Sequence, residues 1–275
     1  MQIRYFRVTR AARYKLFVLA SLSAALFLGL CGRTMAAIKT TVVDYKQGDT
    51  VLEGYLAYDD SSTNLRPGVL IAHEWNGLGE YVEGRARQLA ALGYVAFACD
   101  VYGKGVRPST PQESGKTASI YKNDRALTRA RMRAGLDELL SNKLVDPKRI
   151  AVIGYCFGGM CALELARSGA DIAGVVVFHG SLDTPTPTDA NNIKCRILAL
   201  QGGDDPVVNE AAVEAFEKEM RDAHVDWQLV QYGGAVHGYT NPMNGSDPSR
   251  GVAYNPEADR HSWAAMQSFF AEIFS

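Results

Sequence analysis

No apolar run in this 275-residue sequence reaches the roughly 20 residues that a helix needs to span a bilayer core; the longest, residues 16–30, has 15. Cysteine is scarce at five residues, too few and too scattered for a disulfide scaffold. Histidine is equally scarce, and His73-Glu74 lacks the second histidine that an H-E-x-x-H zinc site requires, so no metal is expected. The 10 prolines and 26 glycines follow no repeat, which excludes collagen-like and low-complexity chains. Neither sign of charge dominates: 29 Lys+Arg stand against 30 Asp+Glu. With 47% hydrophobic and 21% charged residues, the chain can bury enough surface to offset its conformational entropy, and disorder is excluded as its main state.

The charge is unevenly placed. Residues 1–36 hold six basic residues (Arg4, Arg7, Arg10, Arg13, Lys15 and Arg33) and no acidic one. A basic start, an uncharged run and the small residues Thr34, Ala36 and Ala37 form the layout of a secretory signal peptide. Residues 1–36 are therefore expected to be a signal peptide cut near Ala36 or Ala37, with a retained membrane anchor as the alternative. Removing them leaves 23 basic and 30 acidic residues, a net charge of −7. Such a chain has no basic surplus with which to hold a phosphate backbone, so a nucleic-acid partner is not expected. A secreted or periplasmic protein, free of the membrane after cleavage and monomeric, is.

Residues 37–275 read as one domain of roughly 240 residues, within the range for α/β folds. Two strands flank the turn Gly48-Asp49. Apolar strands then alternate with helices. Ala86, Leu89, Ala90 and Gly93 mark one amphipathic helix; Met132, Leu136, Leu139 and Leu140 mark a second. Residues 103–119, rich in Gly, Pro, Ser and Thr, read as a long loop. This alternation predicts a mostly parallel central sheet with helices on both faces.

Gly154-Tyr155-Cys156-Phe157-Gly158 sits where a strand runs into a helix. It is a G-x-nucleophile-x-G elbow with cysteine as the nucleophile. A sharp turn lifts the side chain above the sheet edge, and the helix N-terminus behind it favours thiolate. A thiol nucleophile needs a base and a group to orient that base. In α/β-hydrolases they follow in the order nucleophile, acid, histidine. Here Asp204-Asp205 and then His237 close the next strand ends in that order. His179 also ends a strand but precedes the acids, and His73 ends the first long central strand. The residues after His73 stand where such enzymes supply one oxyanion N–H, from Trp75, with Phe157 supplying the second.

Together G-Y-C-F-G-G, H-E-W-N-G-L, C-D-V-Y-G, G-G-D-D-P-V-V and V-H-G-Y resemble the dienelactone hydrolase family over nearly all of the chain after residue 37. The resemblance implies an α/β-hydrolase fold without a large cap domain, no cofactor, and a Cys-His-Asp triad acting on small esters and lactones. By position it makes Cys156 the nucleophile, His237 the base and Asp205, ahead of Pro-Val-Val, the orienting acid. It makes Glu74 a carboxylate that contacts the resting thiol, and places Tyr102 and Lys104 beside the substrate. The arginines that grip the substrate's carboxylate in the dienelactone enzyme fall here on Lys104 and Asn241, with Arg107 as the substitute the loop offers. Lysine is a point charge rather than a fork, and asparagine carries no charge.

Gly115-Lys116-Thr117 ends like a phosphate-binding loop, but Thr110 stands where the first glycine belongs and no strand precedes it, so nucleotide binding is not expected. Other readings stay open on the residues. The same triad could serve a thioesterase or acyltransferase, or the elbow could persist in a non-catalytic binding protein. Cys99 and Cys195 are either buried free thiols in strands or a bridge.

Overall fold

The computed structural model describes residues 38–275; the expected signal peptide lies outside the described residues. The chain opens with β1 (Ile38–Gln47) and β2 (Thr50–Asp59), paired antiparallel in full register. There follow β3 (Arg66–Ala72), α1 (Glu80–Ala91), β4 (Val95–Cys99), α2 (Pro111–Asn123), α3 (Arg125–Ser141), β5 (Val145–Tyr155) and α4 (Phe157–Arg167). β6 (Gly174–Phe178), β7 (Arg196–Gly202), α5 (Glu210–Asp222), β8 (Trp227–Tyr232) and α6 (Pro256–Ile273) complete it. The strands form one sheet in the order β1-β2-β4-β3-β5-β6-β7-β8. β2 runs antiparallel to β4, and every pairing from β4 to β8 is parallel. This is the expected mostly parallel sheet, with an antiparallel hairpin on one edge.

The central strands are apolar on both faces because both faces are covered. Within β3, Val69 and Ile71 pack with α1 and α6, while Leu70 and Ala72 pack with α2, α3 and α4. Parallel strands point their carboxyl ends the same way. The residues following β3, β5, β6, β7 and β8 therefore meet along one sheet edge, the edge on which open α/β sheets bind ligands.

One expected loop is a helix for much of its length. Residues 111–123 form α2, although residues 103–119 were expected to be irregular. Composition misled here, because the start signal was local. Thr110 accepts from the Glu113 N–H while the Glu113 carboxylate reaches back to the Thr110 N–H, and Pro111 opens the helix. Ala118 and Tyr121 then bury against the core, and the Tyr121 hydroxyl donates to the Tyr102 carbonyl. The bridge reading of Cys99 and Cys195 also ends here. Both are buried free thiols. Cys99 ends β4 and Cys195 precedes β7, four strand spacings of about 4.8 Å each, far beyond disulfide reach.

Replacing Thr110 with alanine removes the acceptor for the Glu113 N–H. It should destabilise the protein by about 1 kcal/mol in urea unfolding. Unchanged stability would show that the cap does not hold α2.

Candidate active site

Cys156 sits between β5 and α4 with φ of 53° and ψ of −117°, a backbone region that residues with a side chain rarely adopt. Two neighbouring glycines allow it. A Cβ on Gly154 would collide with the backbone of Gly158, and one on Gly158 would collide with the carbonyls of Ala72 and His73. The elbow is thus a close approach of three backbone segments. The Cys156 N–H donates to the Phe178 carbonyl at 3.1 Å, which fastens the turn to the end of β6.

Asp205, His237 and Cys156 form a hydrogen-bonded line. His237 Nδ1 lies 2.9 Å from Asp205 Oδ2, and its Nε2 lies 3.1 Å from Cys156 Sγ. The other carboxylate oxygen, Asp205 Oδ1, accepts from the N–H groups of Val207 (2.8 Å) and Val208 (3.0 Å), so the carboxylate cannot swing away. Asp204 is exposed and takes no part in this line, which singles out Asp205. Burial by itself would lower the His237 pKa. The Cys156 sulfur and the Asp205 carboxylate outweigh it and raise the value to about 10. The two partners on either side of the ring thus favour its protonated form.

Glu74 is placed differently from the expectation. The hydrogen-bond partner of Cys156 Sγ is His237, whereas Glu74 Oε2 accepts from Asn241 Nδ2 at 2.7 Å. A buried carboxylate needs a donor, and Asn241 is the donor within reach. Burial raises the Glu74 pKa, and the Asn241 hydrogen bond opposes that rise. The turn that carries Glu74 and Trp75 is braced from below. His73 Nδ1 donates to the Glu74 carbonyl at 2.7 Å, and its Nε2 accepts from the Val101 N–H at 3.1 Å. Burial drives the His73 pKa down to about 4, so this brace is neutral. Tyr102 is buried and does not line the pocket. Its hydroxyl donates to the Trp75 carbonyl at 2.8 Å.

A pocket of about 590 Å³ opens over Cys156 and His237. Trp75 and Phe157 both line it. So do Val207, Met243 and Val252, which stand exposed at its mouth.

Comparison with known proteins agrees with this geometry. The dienelactone hydrolase family profile matches residues 52–274. The chain belongs to the dienelactone hydrolase family. A solved structure named m3DLH is 40% identical over 87% of this chain and all of that one, with a TM-score of 0.84. A dienelactone hydrolase-like promiscuous phosphotriesterase, P91 from metagenomic libraries, is 38% identical over 86% of this chain and 99% of that one, with a TM-score of 0.81. Protein usf of Aquifex pyrophilus is 28% identical over 85% of this chain and 99% of its own. The protein is accordingly a hydrolase of the α/β-hydrolase fold that acts on ester bonds.

The lysine expected beside the substrate is not at the pocket. Lys104 Nζ lies on the exposed β1–β2 side, paired with Asp44 at 2.5 Å and with Glu53 at 3.8 Å. Its backbone N–H pairs with Val51 on β2, which carries the side chain toward Asp44 and Glu53 rather than toward Cys156. Arg107 is likewise held, by Glu53 and the Val106 carbonyl. Among the described pocket-lining residues the lysine is Lys122, from α2, with Glu80 on the same lining. Lys122 escaped the sequence reading because α2 did; the capping box at Thr110 and Glu113 was the signal that would have found it.

The raised Glu74 pKa has a stability consequence. The native state holds this proton more tightly than the unfolded chain does. Its favourable contribution is therefore full below about pH 4.3, the ordinary glutamate value, and is lost as pH rises through the folded pKa. Glu74→Gln keeps an acceptor for Asn241 and removes the titration. Relative to the wild type, its Tm should be higher at pH 7 than at pH 4. An equal difference at both pH values would sink this account.

Proposed function

We propose that the protein hydrolyses uncharged carboxylic esters or lactones through a thioester on Cys156. The supporting observation is the Asp205–His237–Cys156 line, 2.9 and 3.1 Å between partners, at the floor of a pocket with an apolar mouth. The Cys156 thiolate attacks the carbonyl carbon. The new C–S bond pushes an electron pair onto the carbonyl oxygen, which the N–H groups of Trp75 and Phe157 receive. Phe157 opens α4, so its N–H belongs to the first turn, whose donors have no partner within the helix. The tetrahedral adduct collapses, and the His237 cation hands its proton to the leaving alkoxide. Water then attacks the thioester while His237 takes its proton. Collapse releases the acid and restores the thiolate. Asp205 holds the ring in register throughout.

The supporting observation for uncharged substrates is the placement of the cations. Lys104, Arg107 and Arg85 face acidic partners away from the pocket lining, Asn241 is engaged by Glu74, and Lys122, the lysine on the lining, shares it with Glu74 and Glu80. The exposed Val207, Met243 and Val252 offer apolar contact instead.

Cys156→Ala should lower kcat/KM on p-nitrophenyl acetate by about 10³-fold or more, and Asp205→Asn by roughly 10²–10⁴-fold. Lys104→Ala should stay within about twofold, since exposed ion pairs contribute little. A panel pairing neutral esters with carboxylate-bearing lactones tests the substrate class; a strong preference for the acids would overturn it. We further propose that the enzyme is exported, on the basic-then-apolar leader at residues 1–36. N-terminal sequencing of the expressed protein should then begin at residue 37 or 38, and an intact Met1 would refute cleavage.

A further inference from the structure

His179 has no place in the chemistry above, yet four observations put it against the catalytic line. It follows β6 with φ of 39°, a left-handed conformation that a non-glycine residue keeps only where its surroundings impose it. It is fully buried. Its ring stands edge-on to His237, with centroids 5.4 Å apart and planes at 71°, and edge-on to Tyr239 at 5.1 Å. Its Nε2 lies 2.7 Å from Thr240 Oγ1, and Thr240 is three residues beyond His237.

Hydrogen-bond direction defines what His179 does. Arg85 can only donate, and its Nε donates to the Tyr81 hydroxyl at 3.3 Å. The Tyr81 hydroxyl is then free to donate to Thr240 Oγ1 at 2.5 Å, and Thr240 to donate to His179 Nε2. Arg85 also donates to the Thr240 carbonyl at 2.9 Å. The charged and titratable groups facing His179 are thus His237, Tyr155 and Tyr239 directly, and Tyr81 and Arg85 through Thr240. Burial first, and the neighbouring His237 second, keep His179 well below the usual histidine pKa. A neutral ring in this place leaves the positive charge to His237.

The end of β6 therefore carries two ties on consecutive residues. The Phe178 carbonyl holds the Cys156 N–H, and the His179 side chain holds the turn that bears His237. We propose that His179 is a positioning residue that sets the Cys156–His237 contact by fastening the base-bearing turn to the strand end that already carries the nucleophile. This inference rests on the catalytic reading of Cys156 and His237 given above.

The test uses three variants. His179→Phe keeps a buried ring and loses the bond to Thr240. His179→Gln keeps a polar group able to reach Thr240. Thr240→Val removes the hydroxyl while leaving His179 in place. Two readouts are compared: the pH dependence of Cys156 alkylation by iodoacetamide, located by peptide mapping, and kcat and KM on p-nitrophenyl acetate. Among the described residues, Cys99, Cys161 and Cys195 are buried and burial raises their thiol pKa values, so Cys156 is the accessible target there, and peptide mapping separates it from Cys31 where that residue is retained. Glu74 and Asp205 face the Cys156–His237 pair and are unchanged in all three variants.

If His179 positions the base, His179→Phe loosens the imidazole from the sulfur. The alkylation midpoint should move up toward the ordinary thiol value of about 8.5. kcat should fall by about tenfold or more, with KM within about twofold. Thr240→Val should move the midpoint the same way by a smaller amount, and His179→Gln should restore most of both. A wild-type midpoint in His179→Phe and Thr240→Val overturns the inference. So does a loss of rate equal in His179→Phe and His179→Gln with no midpoint shift. Should His179→Phe not fold, Thr240→Val and His179→Gln carry the comparison. A wild-type Cys156 that alkylates like a free thiol overturns the catalytic reading and this inference with it; a fast wild type beside unmoved variants overturns this inference alone.

Discussion

The first turn of α4 lies against the end of β3 with no room for a side chain between them. Gly158 faces the Ala72 and His73 carbonyls, and Gly154 faces the Gly158 backbone. The other features of the site depend on this contact. It forces Cys156 into its left-handed conformation and so lifts the thiol above the sheet edge. It also sets the 73–77 turn beside the helix start, which is why Trp75 and Phe157 line the same pocket. A Cβ on Gly158 would drive α4 away from β3 and one on Gly154 would drive it away from β5, and either would disturb the 3.1 Å contact from Cys156 to His237.

Burial acts alike on the ionisable groups of this edge, and their partners decide the outcome. For His73 and His179 burial is the largest influence, and it outweighs what their neighbours contribute, so both are pushed toward the neutral ring. Glu74, given the single Asn241 amide, is pushed upward. His237 is equally enclosed and moves the other way, because Cys156 and Asp205 stand on either side of it. Of these three histidines, the one whose surroundings favour the charged form is the one in contact with the thiol.

Much of this was legible in the sequence, for a physical reason. A strand–helix junction is written locally, in apolar runs and the glycines that end them. Cys156, Asp205 and His237 each follow such a junction, and parallel pairing brings those ends to one edge whatever the strand order. The shift in charge between residues 1–36 and the rest is plain in composition, and residues 1–36 lie outside the described structure. α2 was missed because a loop-like composition hid a capping box that a closer local reading would have caught.

The sequence by itself determined the class of fold and the chain order in which Cys156, Asp205 and His237 end their strands, since these depend on neighbours within a few residues. The tertiary structure alone decided which side chains meet. It sent Lys104 to Asp44, brought Lys122 to the pocket, matched Glu74 with Asn241 across 167 positions, and set His179 against His237. Those meetings depend on which strands lie side by side and on where each turn aims its side chains. Neither is written in the spacing of residues along a chain.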